Sequence, residues 1–508
     1  RVHLAGLARR DRTAGERARP ARTHPPLPRP PHPARLAISP TDLTILVAYL
    51  IGTVALGLYM GRGQKSATDY LLGGRNLPWW VLLLSIVATE TSTATFLSVP
   101  GIAFGKEGAP GNLLFLQLPL GYLIGRTIAA YGLLPLYFQG KLFTAYDVLR
   151  DRSGPRVRML ASALFLVTRT LADGLRLYLA ALVLRVMFQC DLSTAVVSVG
   201  IATVIYTVVG GIKAVVWTAA VQFVVYMLGA GIAFIVMGQQ LEGGLAETFG
   251  SEAMQARLRC FDFGFDLSSP YTFWAGLIGG AVLSIGSHGV DQLIVQRYLC
   301  ARSQRDAQKA LLWSGPVVLA QFAIFLLLGL GLSAFYAQHA PAEPFTKPDQ
   351  VLAHFIVHHM PVGLIGVVLG AVFSAAMSTL SSSLSASASA LVNDFVLPRT
   401  QHAPDSPFAL RCAKLATIVF ASLQILVGIS GLGGDSVVNQ VLAIQNPMIG
   451  VILGLFVLAL GKRPSARASL VGLLGGLIAT ACLVFVLPMI EVDDGVPLKI
   501  AWPWYGLI

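Results

Sequence analysis

The chain is 508 residues long, 55% of them hydrophobic and only 12% charged. A soluble domain averages about 25% charged residues, so the composition excludes a string of soluble domains and points to a polytopic membrane protein. The formal net charge of +12 follows topology and is no nucleic-acid patch. Of the 37 Lys and Arg, nine lie in residues 1–41, four (Arg126, Arg169, Arg176, Arg185) in apolar spans and 24 in loops.

In chain order, residues 1–41 come first, rich in Arg and Pro and without an apolar stretch. They lack the core of a signal peptide and cannot bury a core of their own. A disordered tail, or a segment foreign to the native product, is expected there. From residue 42, apolar runs long enough to cross a bilayer recur near 42–61, 78–104, 112–137, 159–188, 192–209, 214–238, 270–295, 310–337, 362–392, 412–430, 438–460 and 468–489. A thirteenth starts at IAWPWYGLI, with Trp502 and Trp504 as an interfacial anchor. The expected fold is all-α and polytopic, with about 13 transmembrane helices, the last truncated. If the first span runs outside to inside, the inner loops hold 19 Lys and Arg and the outer loops 5. The positive-inside rule then places the N-terminus outside; only the Arg-rich tail disagrees. The five cysteines, Cys190, Cys260, Cys300, Cys412 and Cys482, have neither metal-ligand nor paired redox spacing.

Three spans are unlike lipid-facing helices. The second, LPWWVLLLSIVATETSTATFLSVPG (77–101), carries Thr89, Glu90, Thr91, Ser92, Thr93 and Thr95 at mid-depth. A carboxylate there costs roughly 2.5–3.5 kcal/mol even on the lenient insertion scale, and so faces protein or a water-filled cavity. The seventh, GAVLSIGSHGVDQLIVQRYL (280–299), is interrupted by Gly286, Ser287, His288, Gly289 and Asp291. Backbone freed from helix bonds is tolerated only beside a cavity. Two interrupted spans five helices apart fit an inverted repeat with a discontinuous helix leading each copy and a binding site between them. The alternative is that Gly and Ser merely let helices pack closely. The third unusual span contains FSAAMSTLSSSLSASASALV (373–392), in which nine of twenty side chains are hydroxyls. Ala375, Ser378, Thr379 and Ser382 fall on one helical stripe. Hydroxyl and carbonyl oxygens suit a hard cation, and a hydroxyl can bond back to its own helix when no ion is present. Sodium fits ligands without charge.

These residues, with GGRNLPWW (73–80), GGIKAVVWTAAVQ (210–222), DQLIVQRYL (291–299) and AAMSTLSSSLSA (375–386), make residues 42–508 resemble the sodium:solute symporter family, with its LeuT-like five-plus-five inverted-repeat fold. The resemblance implies a peripheral helix at 42–61, repeats at 78–238 and 270–460 with discontinuous first and sixth core helices, and peripheral helices at 468–508. It implies a sodium ion held by the backbone carbonyls of Ala88, Thr91 and Ala375 and the hydroxyls of Ser378 and Thr379. Some members hold a second sodium with further hydroxyls, here Ser381 and Ser382, and an aspartate in a Trp-Thr-Asp motif. This chain has Trp217-Thr218-Ala219, so one sodium per cycle is expected, as coupling ion and without an organic cofactor.

Candidate solute contacts are Thr89, Glu90, Ser92, Thr93, Gln117, Arg176 and His288. Arg169, Asp173 and Arg176 lie at i, i+4 and i+7, either as an internal ion-pair ladder or with Arg176 free for a solute carboxylate. His288 reads more as a packing or hinge residue than a proton carrier. The expected function is sodium-coupled import of a small hydrophilic solute, a carboxylate or a sugar, by alternating access. The alternatives are proton coupling through Glu90 or Asp173, and a sensor that binds solute without transport. An enzyme is not expected, since no nucleophile or metal motif accompanies His288 and Asp291. A monomer in a bacterial inner membrane, with solute and lipid but no nucleic acid as partners, completes the reading.

Overall fold

The computed structural model describes residues 38–507 apart from 107–108, 141, 431–436, 462–463, 493–495 and 498–499. The expected N-terminal tail lies almost wholly outside the described residues. Nineteen α-helices follow one another: α1 Pro40–Met60, α2 Ala67–Leu72, α3 Trp79–Glu90, α4 Thr93–Phe104, α5 Gln117–Ile128, α6 Asp147–Ser153, α7 Pro155–Phe188, α8 Leu192–Gln239, α9 Gly244–Gly250, α10 Glu252–Arg257, α11 Gly280–Gly289, α12 Gln292–Leu299, α13 Gln304–Gln338, α14 Pro348–His359, α15 Leu364–Leu391, α16 Leu397–Thr400, α17 Pro407–Ile429, α18 Val437–Leu460 and α19 Ala466–Ala481. The strands among the described residues are two short antiparallel pairs.

Among the described residues, six helical segments are long and apolar enough to cross a membrane, or up to eight if each of two bent pairs is one span. The sequence reading anticipated about 13, and three features bear on the difference. The expected spans 192–209 and 214–238 follow one another in α8 and are separated by a break at Gly211, where φ is +53° and ψ −158°, so the 48-residue stretch, more than twice what one crossing needs, holds both. A Cβ on Gly211 would meet the Tyr70 carbonyl at 2.5 Å, so the chain turns there on a residue that tolerates positive φ. The expected span 112–137 is divided into α5, a π-helical turn at Ala129–Leu133 and a 3-10 segment at Leu134–Phe138. The expected span 159–188 is the helix α7, which is less apolar than the others because it carries Arg169, Asp173, Arg176 and Arg185.

Both expected interruptions are present. Helices α3 and α4 meet at 65° and the α11 segment meets α12 at 55°. The first break has a local cause in the run Thr-Glu-Thr-Ser-Thr. Thr91 is extended (φ −87°, ψ 96°), and the Ser92 hydroxyl caps α4 by accepting from the Thr95 N–H at 3.4 Å. Short hydroxyl side chains offer the backbone an alternative to continuing the helix. At the second break the Asp291 carboxylate accepts from the Leu293 N–H at 2.9 Å and so caps α12. Helix α15, the hydroxyl-rich one, is the most enclosed: it packs on α1, α3, α7, α8 and α17, and Ser374 through Ser389 is buried apart from Ala376. Its N-terminus is held by Asp42 of α1, whose carboxylate accepts from the N–H groups of Gly363 and Gly366 at 2.8 and 2.7 Å, as the positive end of a helix favours.

The segment IAWPWYGLI turns inward. Trp502–Trp504 form a 3-10 turn. Trp504 packs inward with Ala275 and Ala501, and Trp502 lines an internal cavity. Neither is an interfacial anchor.

Candidate functional site: a broken helix facing a hydroxyl-lined helix

Breaking α3 at Thr91 leaves carbonyl groups at its end without the helical N–H donors they would otherwise meet. The structure directs two of them at α15. The Ser378 hydroxyl donates to the Ala88 carbonyl at 2.9 Å and lies 3.1 Å from the Ala375 carbonyl. The Thr379 hydroxyl lies 3.4 Å from the Thr89 carbonyl and 3.3 Å from that of Ala375. Ala88, Ala375, Ser378 and Thr379 are therefore brought together as a knot of uncharged oxygens, each residue at most 3% exposed. Thr91 stands at the break itself. Its hydroxyl turns away, donating to the Val87 carbonyl at 3.0 Å and accepting from Gln321 Nε2 at 2.7 Å. Among the described residues its carbonyl accepts no hydrogen bond from Ser378 or Thr379.

One turn further along α15 the setting changes. Ser381 bonds back to the Ser378 carbonyl at 3.3 Å and Ser382 does so at 2.5 Å. Ser382 also meets the Thr89 hydroxyl at 3.0 Å. The buried Arg297 of α12 donates to Thr89 Oγ1 at 2.7 Å, to Ser85 Oγ at 3.0 Å, and to Ser382. Thr89 is thus committed to this polar contact and is absent from the lining of the cavity; its expected part in solute binding is corrected. Ala219 of α8, where some relatives carry an aspartate, is fully buried and supplies no charge.

Above the break lies a cavity of about 540 Å³, within the usual range of roughly 300–1,000 Å³ for ligand pockets. Glu90, Ser92, Thr95, Arg176, His288 and Gln445 give it polar surface, and Phe115, Tyr122, Phe322 and Trp502 give it aromatic walls. Ser92 and Arg176 also line a small adjoining recess with Thr93, whose hydroxyl is 3.5 Å from the Val372 carbonyl. Gln117 is not in the cavity. Its amide donates to the carbonyls of Leu114 and Tyr271 and its oxygen accepts from the Asp262 N–H. It ties the 262–271 loop to α5 and stands outside the cavity lining. Elsewhere in the cavity lining Asp349 of α14 bonds the Ser98 hydroxyl, and burial raises its carboxyl above the ordinary range.

The charged side chains beside the break are paired, whereas Lys106 and Lys347, which also line the cavity, form no ion pair among the described residues. Glu90 Oε2 accepts from Arg126 Nη2 at 2.5 Å, and Glu90 Oε1 is 3.3 Å from His288 Nε2. Arg126 reaches His288 because α5 and α11 pack closely at Gly125, where a Cβ would meet the Ala281 carbonyl at 2.4 Å. Asp173 pairs with Arg176, which also donates to Gln445. Arg169 binds Asp291 at 2.5 Å, linking α7 to the second break, and lies 3.8 Å from Asp173. The ladder and the cavity-facing arginine are thus both present: Arg176 is paired, yet still lines the cavity.

Arg126, Arg297, Gln321 and Gln445 escaped the sequence reading. Arg126 had a usable signal. A lone cation and a lone carboxylate in neighbouring apolar spans each need a partner, and Glu90 had none in its own span. Arg297 sat in what read as a loop because the apolar run of its span ends before it.

Sequence and structure comparisons bear on the same residues. Residues 70–476 match the model of the sodium:solute symporter family. The chain belongs to that family. This symporter is 29% identical over 433 residues to the human sodium/iodide cotransporter, covering 82% of the chain but 65%, just under two thirds, of that protein. It is 28% identical over 463 residues to the sodium/sialic acid symporter SiaT of Proteus mirabilis, covering 86% of the chain and 88% of the relative. It is 29% identical over 445 residues to the sodium-coupled monocarboxylate transporter 1 of Xenopus laevis, covering 86% and 70%. A solved structure of a substrate-bound, outward-open Na+-coupled sialic acid symporter superimposes with a TM-score of 0.73 at 25% identity, covering 91% of this chain and 99% of the other. A nucleobase-cation-symport-1 family transporter in a closed conformation reaches 0.54 at 14% identity over 84% and 94%, a likeness of fold alone. The symporter is an integral, multi-pass, mostly helical membrane protein of a sodium-coupled transport family, and not an enzyme.

Proposed function

We propose that this symporter imports one small hydrophilic solute with one sodium ion per cycle by alternating access, with 78–238 and 270–460 as its inverted repeats. Sodium is held by the carbonyls of Ala88, Thr91 and Ala375 and the hydroxyls of Ser378 and Thr379. The observation that carries the reading is the contact of Ser378 and Thr379 with carbonyls released by the break in α3. Oxygens of two separate helices meet there at hydrogen-bond distance, so an ion between them joins α3 to α15. It biases the conformational equilibrium by its preference for the joined state. Inward sodium movement contributes about 2.3 kcal/mol per 100 mV of membrane potential. Solute binds in the cavity beside the break, with Arg176 as the contact for a carboxylate and Ser92 as a hydrogen-bonding neighbour.

A single ion is supported by the missing carboxylate at Ala219 and by the Arg297 guanidinium against Ser382, a fixed positive charge where a second cation would bind. Proton coupling through Glu90 or Asp173 is disfavoured because each carboxylate is paired with an arginine, a permanent cation that opposes protonation. The charge pattern supports an outside N-terminus, in keeping with a bacterial inner-membrane importer that works as a monomer. The test is a solute screen in proteoliposomes of the full chain under an inward sodium gradient. Accumulation that requires sodium and grows with an interior-negative potential supports the proposal. Accumulation that follows a pH gradient without sodium selects the proton reading, and saturable binding without accumulation selects a sensor.

A further inference from the structure

Two ion pairs border the cavity, and they are arranged in opposite senses. In the first, Arg126 is the inner member, its side chain 1% exposed, while the Glu90 side chain is 21% exposed and lines the cavity. In the second, Asp173 is the inner member at 1%, while the Arg176 side chain is 17% exposed and lines the same cavity. Each wall-buried partner fixes the cavity-facing charge in place. Beside the break the cavity therefore presents a held carboxylate and a held guanidinium, and Lys106, Lys347 and Asp349 also belong to its lining. We propose that the solute is a zwitterion carrying both an ammonium and a carboxylate, as amino acids and amino-acid-like osmolytes do, with the ammonium on Glu90 and the carboxylate on Arg176. This deepens the transport reading above and rests on it.

The atoms left over agree with that assignment. Glu90 Oε2 is taken by Arg126. His288 Nε2 faces both Glu90 Oε1 at 3.3 Å and two Arg126 nitrogens at 3.2 and 3.3 Å. When Nε2 accepts from Arg126, the ring proton sits on Nδ1, which faces the Ser287 hydroxyl at 3.0 Å. Oε1 then has no donor from His288 and is left for a ligand N–H. Arg176 spends one N–H on Asp173 and one on Gln445. A guanidinium has five, so three remain for a carboxylate.

Ligands of one sign fit less well. A monocarboxylate would use the remaining N–H groups of Arg176 but cover Glu90 Oε1 without giving it a donor, and a buried acceptor left without a hydrogen bond is costly. A simple amine makes the converse error at Arg176. A neutral sugar can hydrogen-bond to both groups but brings an opposite charge to neither. The anions in the names of the relatives are therefore not the class this cavity fits best.

The test uses the purified full chain in lipid nanodiscs, with its thermal midpoint read in sodium chloride and in choline chloride. The probes are α- and ω-amino acids and betaines, each with a matched acid lacking the amine and a matched amine lacking the carboxylate. Sodium alone should raise the midpoint. At least one zwitterion should raise it further, at concentrations tenfold or more below those its one-charge analogues need. Glu90→Gln should erase the advantage over the acid, and Arg176→Gln the advantage over the amine. If Glu90→Gln does not fold, Glu90→Gln with Arg126→Gln keeps the wall neutral and serves instead. A sodium response with no zwitterion response, an acid or sugar as effective as any zwitterion, or an unchanged preference in both variants overturns the assignment. A midpoint indifferent to sodium overturns the underlying sodium reading as well.

Discussion

Replacing Arg169 by Met tests whether buried ion pairing holds the second helix break in register. Arg169 and Asp291 are 5% and 8% exposed, and their side chains meet at 2.5 Å. Asp291 also caps α12, so the pair fixes the direction in which the second half of the broken span leaves the first. Arg169→Met removes the cation and leaves Asp291 with its cap N–H alone, while Asp173 keeps Arg176. Removing one partner of a buried pair costs about 3–5 kcal/mol, because an uncompensated charge stays behind. At an unfolding entropy of about 2 cal/mol/K per residue, that corresponds to a fall of roughly 3–5 °C in the thermal midpoint of a chain this size. Adding Asp291→Asn removes the stranded charge, keeps a capping oxygen, and should restore more than half of the loss. Differential scanning fluorimetry of the single and double variants in one detergent reads both effects. A fall below 1 °C in the single variant, or a double variant less stable than the single one, refutes the reasoning.

Other outcomes follow from the same geometry. Ser378→Ala deletes one hydroxyl of the proposed ion site; a hydrogen bond to a charged group contributes about 1.5–3 kcal/mol. The sodium concentration giving half-maximal thermal stabilisation should therefore rise tenfold or more. Gln117→Met should lower the thermal midpoint by loosening the 262–271 loop, yet leave the sodium midpoint unchanged, as expected of a residue outside the cavity. The His354 imidazole of α14 is held down to about 4 by burial and by His358 and His359, and its Nδ1 meets the Tyr336 hydroxyl at 2.7 Å. Because its folded value lies below the ordinary 6.5, the unfolded chain binds the extra proton first. Its contribution is complete above pH 6.5 and declines as pH falls towards 4. Thermal melts across that range should show the slope, and His354→Gln should flatten it.

The architecture was legible where composition and local chemistry agree. Hydrophobic runs located the helices to within a few residues, and the clusters Thr89–Thr93 and Gly286–Asp291 placed both breaks, because capping residues compete with helix bonds in any context. The stripe Ala375, Ser378, Thr379 and Ser382 was visible as helical spacing. Partner choice across helices was not. Nothing in LPLGY predicts that Gln117 spends its amide on the loop near Asp262, and nothing near Thr89 predicts Arg297 above its hydroxyl. Those contacts depend on how distant segments pack. Trp502 and Trp504 misled for a related reason: tryptophan suits a membrane interface and a cavity wall equally well, and sequence alone does not say which surface is nearer.

The central claim is that a single sodium ion sits among uncharged oxygens between α3 and α15. Equilibrium binding of radioactive sodium to the purified full chain tests it most directly. The account predicts one ion per chain, binding retained in Glu90→Gln, and binding lost in Ser378→Ala combined with Thr379→Ala. Two ions per chain, or loss in Glu90→Gln with retention in the double hydroxyl variant, would contradict it.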